Sequence, residues 1–219
     1  MVEISTSILS VAKGEESKVF FSLEKAKTDY FHIDVMDGKF VEKNTYEYML
    51  DISSYIKRIS NLPMDVHLMI EDIKKGIEDF LSIEPNIITF HLEACRNEEE
   101  VFEIINFIKL HNCKVGISVK PNTKIEDVYK YLPYVHLCLV MTVEPGKGGQ
   151  TLLLDMVDKI RKLKNYIEEK DLQIDIEADG GINLKTCDMI KNAGANVLVS
   201  GTAILLAKDY GKIIDELKK

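Results

Sequence analysis

Residues 31–36 read FHIDVM, and the alternation within this segment is the observation on which the fold prediction depends. Successive side chains of a β-strand point to opposite faces. One face of the segment is therefore entirely apolar, whereas the other carries His32, Asp34 and Met36. The pattern predicts a strand whose apolar face packs against helices while its second face lies in a different environment.

The same alternation recurs in four later segments, which read MDVHLM (64–69), ITFHLE (88–93), VGISVK (115–120) and IDIEAD (174–179). The apolar faces suit the layer between a β-barrel and its surrounding helices, so the opposite faces must point toward the barrel axis. Branched aliphatic side chains usually fill such an interior, and buried charge is costly unless it is paired or bound to a metal. We therefore expect a polar barrel interior that has a function.

Eight β-rich runs alternate with longer amphipathic stretches from one end of the chain to the other. Val101–His111 and Leu154–Glu169 are examples of the predicted helices. Because no linker interrupts the eight units, the sequence predicts an α/β fold, a single (β/α)8 TIM barrel with residues 1–219 forming one domain. The predicted strands are Glu3–Ile8, Tyr30–Met36, Met64–Met69, Ile87–Leu92, Lys114–Val119, Val135–Val143, Gln173–Ala178 and Asn196–Ser200.

The composition is typical of a water-soluble globular protein. Of the 219 residues, 46% are hydrophobic and 29% are charged, and the formal net charge is -8. The chain has no basic run and no 18-residue apolar run, so we expect neither nucleic-acid binding nor a membrane span. The first ten residues, MVEISTSILS, do not resemble a signal peptide, and the four scattered cysteines are typical of reduced thiols. These features predict a cytoplasmic protein.

Four ionisable side chains on the predicted inner faces form a candidate metal site. His32 and Asp34 share one face of the second strand, His67 faces inward from the third, and Asp179 ends the seventh. Two imidazoles and two carboxylates at the mouth of a barrel suit Zn²⁺, Fe²⁺, Mn²⁺ or Co²⁺. The alternative is that the histidines are hydrogen-bonded core residues and the aspartates form salt bridges or loop caps.

Asp34 and Asp179 also fit a pair of acid/base groups. They belong to strands two and seven, which lie on separate arcs of an eight-stranded ring, so a substrate between them would meet a carboxylate on each face. One carboxylate would remove a proton from a carbon beside a carbonyl, and the other would return a proton to the opposite face. A cation would polarise the carbonyl and stabilise the enediolate between the two steps.

Three glycine-containing segments follow the last three predicted strands: Pro145–Gln150, Gly180-Gly181 and Gly201-Thr202. TIM barrels often bind phosphate with backbone N–H groups in the loops after strands seven and eight, where glycine permits a close approach. The segments therefore favour a phosphorylated substrate. The alternative is that each glycine pair only forms a turn.

Met36, Met69 and Met141 fall on inward or mouth positions, where they would form an apolar lining around the cation. The alternative for methionine is ordinary core filling. For His91 and Glu93, which share the inner face of the fourth strand, we expect structural hydrogen bonding.

Together these segments resemble the ribulose-phosphate 3-epimerase family. The similar stretches span nearly the whole chain in the family's order: 7–10 (SILS), 32–38 (HIDVMDG), 65–69 (DVHLM), 140–150 (VMTVEPGKGGQ), 179–183 (DGGIN) and 200–203 (SGTA). The resemblance implies a metal-dependent isomerase of the pentose phosphate pathway that interconverts D-ribulose 5-phosphate and D-xylulose 5-phosphate by inverting C3. It also implies one divalent metal ion per subunit and a homo-oligomer, either a dimer or a hexamer.

The resemblance also implies roles for individual residues. Asp34 and Asp179 would be the catalytic acid/base pair, and His32 and His67 would complete the metal ligands with them. Ser7 would contact the substrate near the metal, as would His67. The other residues expected to bind or cap the substrate and its phosphate are Met36, Met69, Met141, Gly146, Lys147, Gly148, Gly149, Gly180, Gly181, Gly201 and Thr202.

The sequence departs from the family's pattern near the mouth. Residues 42–48 read EKNTYEY where the family usually has Pro-Asn and a later Gly-Pro, and Lys120 stands where asparagine is usual. Glu144 and Lys147 stand where asparagine and an aromatic residue are common. We expect Lys120 and Lys147 to add positive charge near the ketose, so a 3-epimerase of another ketose phosphate, such as D-allulose 6-phosphate, is an alternative. Further alternatives are a non-catalytic phosphosugar-binding barrel and a metal-free phosphate-binding isomerase or decarboxylase.

Overall fold

Eight parallel strands close into a barrel in the computed structural model, which describes residues 2–219. Each strand is hydrogen-bonded to the next along the chain, and the eighth pairs with the first. The predicted barrel is therefore confirmed. The strands are β1 (Glu3–Ser7), β2 (Tyr30–Met36), β3 (Met64–Met69), β4 (Ile87–His91), β5 (Lys114–Val119), β6 (Leu137–Met141), β7 (Asp175–Asp179) and β8 (Val197–Val199).

Helices surround the barrel, with one interruption in the strand–helix alternation. Between β5 and β6 the described residues form two 3₁₀ turns, Ile125–Val128 and Leu132–Tyr134, and a third such turn, Leu92–Ala94, follows β4. The helices are α1 (Glu16–Lys25), α2 (Tyr46–Ile59), α3 (Ile73–Leu81), α4 (Glu98–Leu110), α5 (Asp155–Glu169), α6 (Cys187–Ala193), α7 (Thr202–Leu205) and α8 (Tyr210–Lys218).

Several predicted element ends are wrong by one to three residues. The predicted strand Val135–Val143 is longer than β6, partly because the N–H of Val135 donates to the carbonyl of Leu132 in the preceding turn. Helix α4 begins three residues earlier than predicted. The side chain of Asn97 accepts a hydrogen bond from the Glu100 N–H there, which caps the helix and extends it.

The outward faces of the strands form the main core. Ile33 and Val35 of β2 and Val66 and Leu68 of β3 are fully buried in one cluster with apolar helix side chains. Burying one such aliphatic side chain stabilises a protein by about 1.5–3 kcal/mol. This layer therefore attaches the helices to the barrel, and the predicted direction of the apolar faces is confirmed.

The inward faces carry two kinds of side chain. One part of the interior is an aliphatic cluster that includes Leu137 and Leu139 of β6 and Val197 of β8. Leu139 lies beside Glu177 in the register of β6 and β7, so apolar and ionisable groups are neighbours on the same inner surface. Glu177 is nevertheless fully buried. The barrel interior is thus divided into an aliphatic part and an ionisable part.

None of the helices within residues 2–219 combines the length and apolar character needed to cross a membrane. All four cysteines are free thiols, and three of them are buried. The fold therefore uses no disulfide between them.

Candidate active site

His32, Asp34, His67 and Asp179 meet at the carboxyl-terminal end of the barrel. The Nε2 atom of His32 lies 3.4 Å from Asp34 Oδ1 and 4.0 Å from Asp179 Oδ2. The Nδ1 atom of His67 lies 3.6 Å and 3.7 Å from the same two oxygens. Both imidazoles are fully buried, whereas the side chains of Asp34 and Asp179 are 7% and 16% exposed. The structure thus brings the four proposed metal ligands together beside an opening to solvent.

The two imidazole nitrogens that face this cluster fit a metal site. His32 Nε2 and His67 Nδ1 are buried and have no hydrogen-bond partner, although an unsatisfied buried polar atom is destabilising. Ligand atoms that share a tetrahedral cation at bond lengths of about 2.0–2.1 Å lie roughly 3.3 Å apart. The observed separations of 3.4–4.0 Å are close to that value. The donor set can therefore hold a divalent cation after small movements of the side chains.

The remaining nitrogen of His32 is held by a carboxylate deeper in the barrel. His32 Nδ1 donates to Asp65 Oδ2 at 2.6 Å, and the hydroxyl of Ser5 donates to the same oxygen at 2.8 Å. A metal-binding histidine commonly donates its second N–H to a carboxylate in this way, which fixes the orientation of the ring. Asp65 therefore aims His32 Nε2 at the cluster.

Burial is the largest influence on the protonation of the two aspartates, but the outcome differs. For Asp34, burial raises the pKa, but the combined effects of His32 and His67 outweigh burial and hold the pKa of the carboxyl well below its usual value. For Asp179, burial and the charge of Asp34 raise the pKa to about 6. One carboxyl is thus readily anionic and the other readily protonated. Such a divergence is typical of paired acid and base groups.

His32 and Glu177 are also strongly perturbed. Burial would lower the pKa of His32, but the carboxylates of Asp65 and Asp34 raise it well above its usual value. Burial, followed by the charge of Asp65, raises the pKa of Glu177 well above its usual value. Before a cation binds, both shifts therefore favour the protonated forms of His32 and Glu177, which reduce the net negative charge of the buried cluster.

A cavity of about 330 Å³ opens above the cluster. Asp34 and Asp179 reach its wall, and Ser7, whose hydroxyl donates to Asp34 Oδ2 at 2.7 Å, lies beside them. His67 is fully buried and is not part of the wall. The other proposed substrate-binding residues all line the cavity: Met36, Met69, Met141, Gly146, Lys147, Gly148, Gly149, Gly180, Gly181, Gly201 and Thr202.

The glycine segments come together on one side of this cavity. A Cβ atom at Gly149 would lie 3.8 Å from the Thr202 hydroxyl, so the loop after β6 adjoins the loop after β8. At Gly181 the backbone has a φ of +70°, and a Cβ atom there would lie 2.5 Å from the Leu152 backbone nitrogen. Only glycine fits at this position. The close packing of backbone suits recognition of a small anion by N–H groups.

Comparison with known proteins identifies the family. Residues 3–205 match the profile of the ribulose-phosphate 3 epimerase family. A ribulose-phosphate 3-epimerase from Methanocaldococcus jannaschii is 37% identical over 100% of this chain and 91% of its own length. The enzymes of the same name from Bacillus subtilis and Escherichia coli K12 are 36% and 33% identical, over 100% and 98% of this chain and 99% and 94% of theirs. The chain belongs to the ribulose-phosphate 3-epimerase family.

Solved structures of more distant proteins share the fold of this family member. The 3-hexulose-6-phosphate synthase from Salmonella typhimurium aligns with a TM-score of 0.69 at 13% identity, covering 99% of this chain and 96% of that one. Thiamine phosphate pyrophosphorylase from Pyrococcus furiosus aligns with a TM-score of 0.65 at 15% identity, covering 99% and 94%. At these identities the likeness concerns the barrel alone. The predicted family and the prediction of an enzyme are confirmed by the sequence relatives.

Lys120 and Lys147 are the two lysines expected near the mouth of the barrel, and the structure places them differently. Lys147 lines the cavity, and its Nζ atom lies 3.9 Å from the carboxylate of Glu42 in the loop after β2. Both side chains are mostly exposed. Lys120 does not line the cavity; its Nζ atom lies 3.6 Å from the centre of the Phe40 ring. Lys120 is therefore not part of the cavity wall, and the expectation that it adds charge near the substrate stays a prediction.

The sequence indicates no role for some of the residues that surround the cluster. Alternation predicts inward positions for Asp65 and Glu177, but nothing in the sequence indicates that both side chains lie close to His32. The preference of His91 and Glu93 for hydrogen bonding was predicted, and the structure confirms a bond of 3.1 Å between them. The alternation of side chains along a strand predicts which residues face inward, but it does not predict which inward side chains of different strands contact each other.

Proposed function

We propose that this protein interconverts D-ribulose 5-phosphate and D-xylulose 5-phosphate by inverting C3, with Asp34 and Asp179 as the acid/base pair. The observation that supports this most directly is that both carboxylates reach one cavity from strands β2 and β7 and face the same two unpaired histidine nitrogens. One divalent ion of Zn, Fe, Mn or Co, held by His32, Asp34, His67 and Asp179, would polarise the substrate carbonyl and offset the negative charge on its oxygen.

The two aspartates perform the proton transfers in this proposal. Asp34, whose pKa is lowered, is the anion that removes the C3 proton from one face of the ketose. Asp179, whose pKa is raised to about 6, is the carboxylic acid that returns a proton to the other face. In the reverse direction the roles exchange. The Ser7 hydroxyl occupies Asp34 Oδ2 and leaves Oδ1 turned toward the cluster, which orients the base.

The remaining cavity residues position the substrate and exclude water. The phosphate would lie against the glycine segments, where Gly149, Gly181 and Gly201 bring backbone close to the cavity. Met36 and Met69 are each 1% exposed and form an apolar cover near the reacting carbon. A site closed to water protects a reactive planar intermediate from side reactions.

The observation that favours a second candidate is the altered rim. Lys147 and its partner Glu42 lie in the two loops that depart from the family pattern, and Lys147 lines the cavity. A longer substrate such as D-allulose 6-phosphate would place more atoms at this rim. The second candidate is therefore 3-epimerisation of another ketose phosphate by the same two aspartates.

Both candidates are tested by incubating the metal-reconstituted enzyme with a panel of phosphorylated ketoses in deuterated water. The expected result is inversion at C3 with deuterium incorporated at that carbon, fastest for the two pentulose 5-phosphates. Preference for a hexulose 6-phosphate would favour the second candidate. Binding of these sugars without deuterium incorporation at C3 would refute both and leave a phosphosugar-binding barrel. Inversion that persists after full metal removal would contradict the proposed cation, and sizing of the same sample tests the expected homo-oligomer.

A further inference from the structure

A chain of hydrogen bonds leads from the metal cluster to the protein's backbone through two residues that the proton transfers do not use. His67 Nε2 and His91 Nε2 are 2.9 Å apart, and His91 Nδ1 is 3.1 Å from Glu93 Oε2. The other oxygen of Glu93 accepts the N–H of Lys120 at 2.7 Å and the hydroxyl of Thr123. The hydrogen-bond chain thus runs from His67, a proposed metal ligand on β3, to the fixed carboxylate of Glu93 after β4.

The direction of each hydrogen bond follows from the donors and acceptors present. A carboxylate such as Glu93, which already accepts two hydrogen bonds, can only accept again, so His91 Nδ1 carries the hydrogen. The Nε2 of a neutral His91 is then an acceptor, so the facing Nε2 of His67 must donate. A neutral His67 with its hydrogen on Nε2 has a free lone pair on Nδ1.

That lone pair belongs to the atom that faces the proposed cation. His67 Nδ1 is the buried nitrogen without a hydrogen-bond partner, 3.6 Å from Asp34 Oδ1 and 3.7 Å from Asp179 Oδ2. We propose that His91 and Glu93 are positioning residues that fix the tautomer and ring orientation of His67, so that its Nδ1 is presented to the cation. The inference rests on the cation site of the proposed function.

The two histidine rings of this hydrogen-bond chain are packed against further side chains. The centres of the His67 and His91 rings are 5.0 Å apart, as expected for rings that meet at their hydrogen-bonded edges, and the centre of the Phe40 ring lies 4.9 Å from that of His91. Lys120 Nζ lies 3.6 Å from the centre of the Phe40 ring. Lys120 therefore contributes twice, because its backbone N–H also holds Glu93. This gives Lys120 a place in the support of His67.

The test uses the full-length protein in metal-free and zinc-loaded forms, with the variants Glu93→Gln and His91→Phe. Phenylalanine retains an aromatic ring at this position but removes both hydrogen bonds. The matched control is Ser118→Ala, because Ser118 lies beside His91 in the strand register, is buried, and has no hydrogen-bond partner. Two quantities are measured: the affinity for zinc by competition with a chromophoric chelator, and the protonated nitrogen of His67 by ¹⁵N NMR of the imidazole.

We expect wild-type His67 to carry its hydrogen on Nε2 in both forms and to bind zinc through Nδ1. Glu93→Gln and His91→Phe should each bind zinc about 10- to 100-fold more weakly than the wild type and should lose the single His67 tautomer. Ser118→Ala should match the wild type in both measurements. A residue that only supports the fold would lower thermal stability without changing the tautomer. If His91→Phe does not fold, Glu93→Gln alone decides the result.

Two outcomes would overturn the inference: a hydrogen on Nδ1 of wild-type His67, or unchanged zinc affinity and tautomer in Glu93→Gln. These failures are distinguishable from failure of the proposed function. A wild-type protein that binds no divalent metal would refute the proposed cation, while the tautomer in the metal-free protein would still report whether the chain directs His67.

Discussion

Two walls of the same barrel interior are both largely buried but chemically opposite. The polar wall consists of six ionisable side chains on the inner faces of β2, β3 and β7: His32, Asp34, Asp65, His67, Glu177 and Asp179. The apolar wall consists of the inner hydrophobic cluster: Ile87, Leu137, Leu139, Met141, Val143 and Val197. The apolar wall shows that this barrel can be filled by aliphatic side chains, which is the usual solution. The charges of the polar wall are therefore retained for chemistry, at a cost in stability.

The largest expected effect is a loss of turnover when an aspartate of the polar wall is replaced. Asp34→Asn and Asp179→Asn should each lower turnover by about 10²- to 10⁴-fold or more, because each would remove a group that transfers a proton in the proposed mechanism. Steady-state rates with the metal content determined in parallel provide the measurement. The control is Leu139→Val on the apolar wall, which should retain turnover within a few-fold. Full activity of Asp179→Asn would contradict the two-aspartate mechanism.

A smaller side chain in the apolar wall should lower stability but leave turnover nearly unchanged. Leu139 is fully buried, and its replacement by alanine should lower the free energy of unfolding by about 2–5 kcal/mol, as is typical for a leucine cavity. Urea denaturation reports this value, and the turnover of the molecules that remain folded should change little. A loss of turnover as large as that of the aspartate variants would show that the two walls do not divide stability and function.

A gain in stability is expected when charge is removed from the polar wall of the metal-free protein. Asp179 has a pKa of about 6 in the folded protein against an ordinary value of 3.8, so the folded state disfavours its charged form. The free energy of unfolding of the wild type therefore falls as the pH rises from about 4 to about 6, and stays lower above this range. Asp179→Asn avoids the loss and should be more stable at pH 8 by up to about 3 kcal/mol.

That advantage should vanish below about pH 4, where the carboxyl is protonated in both states. Denaturant unfolding of the metal-free proteins across this pH range is the measurement. If Asp179→Asn is less stable than the wild type at pH 8, the idea that the polar wall opposes folding fails for this residue.

The smallest expected effect is the release of protons when a cation binds. The pKa of His32 is raised well above its usual value in the metal-free protein, so His32 Nε2 must lose a proton before it can serve as a ligand. Zinc binding at pH 7 should release about one proton from this residue, and affinity should rise about tenfold per pH unit.

Calorimetry in two buffers of different ionisation enthalpy counts the released protons. The control is His111→Gln, which alters an exposed histidine outside both walls and should release as many protons as the wild type. Binding without proton release would show that His32 is not a protonated ligand of the cation.

The contrast between the walls also shows which features sequence alone can predict. Alternation in FHIDVM and MDVHLM was sufficient to place His32, Asp34 and His67 on the inner surface, because strand periodicity is local. Alternation alone does not assign a face to Leu137 and Leu139 of β6, because residues 137–141 are apolar at every position.

Contacts between distant elements were beyond the reach of the sequence. The 3₁₀ turns between β5 and β6 replace an expected helix, and the position of Lys120 over Phe40 depends on the loop after β2. The hydrogen bonds from His67 to Glu93 join residues on different strands, so their polarity can be worked out only from distances. Such pairings have no periodic signature.

The most direct test of the account is proton exchange at C3 in deuterated water, measured by NMR for each pentulose 5-phosphate with Asp34→Asn and Asp179→Asn. The account predicts complementary behaviour: each metal-loaded variant exchanges the C3 proton of one epimer, the one facing its remaining aspartate, without inverting it. If either variant interconverts the two sugars at the wild-type rate, or if both variants exchange the same epimer, the assignment of one aspartate to each face is contradicted.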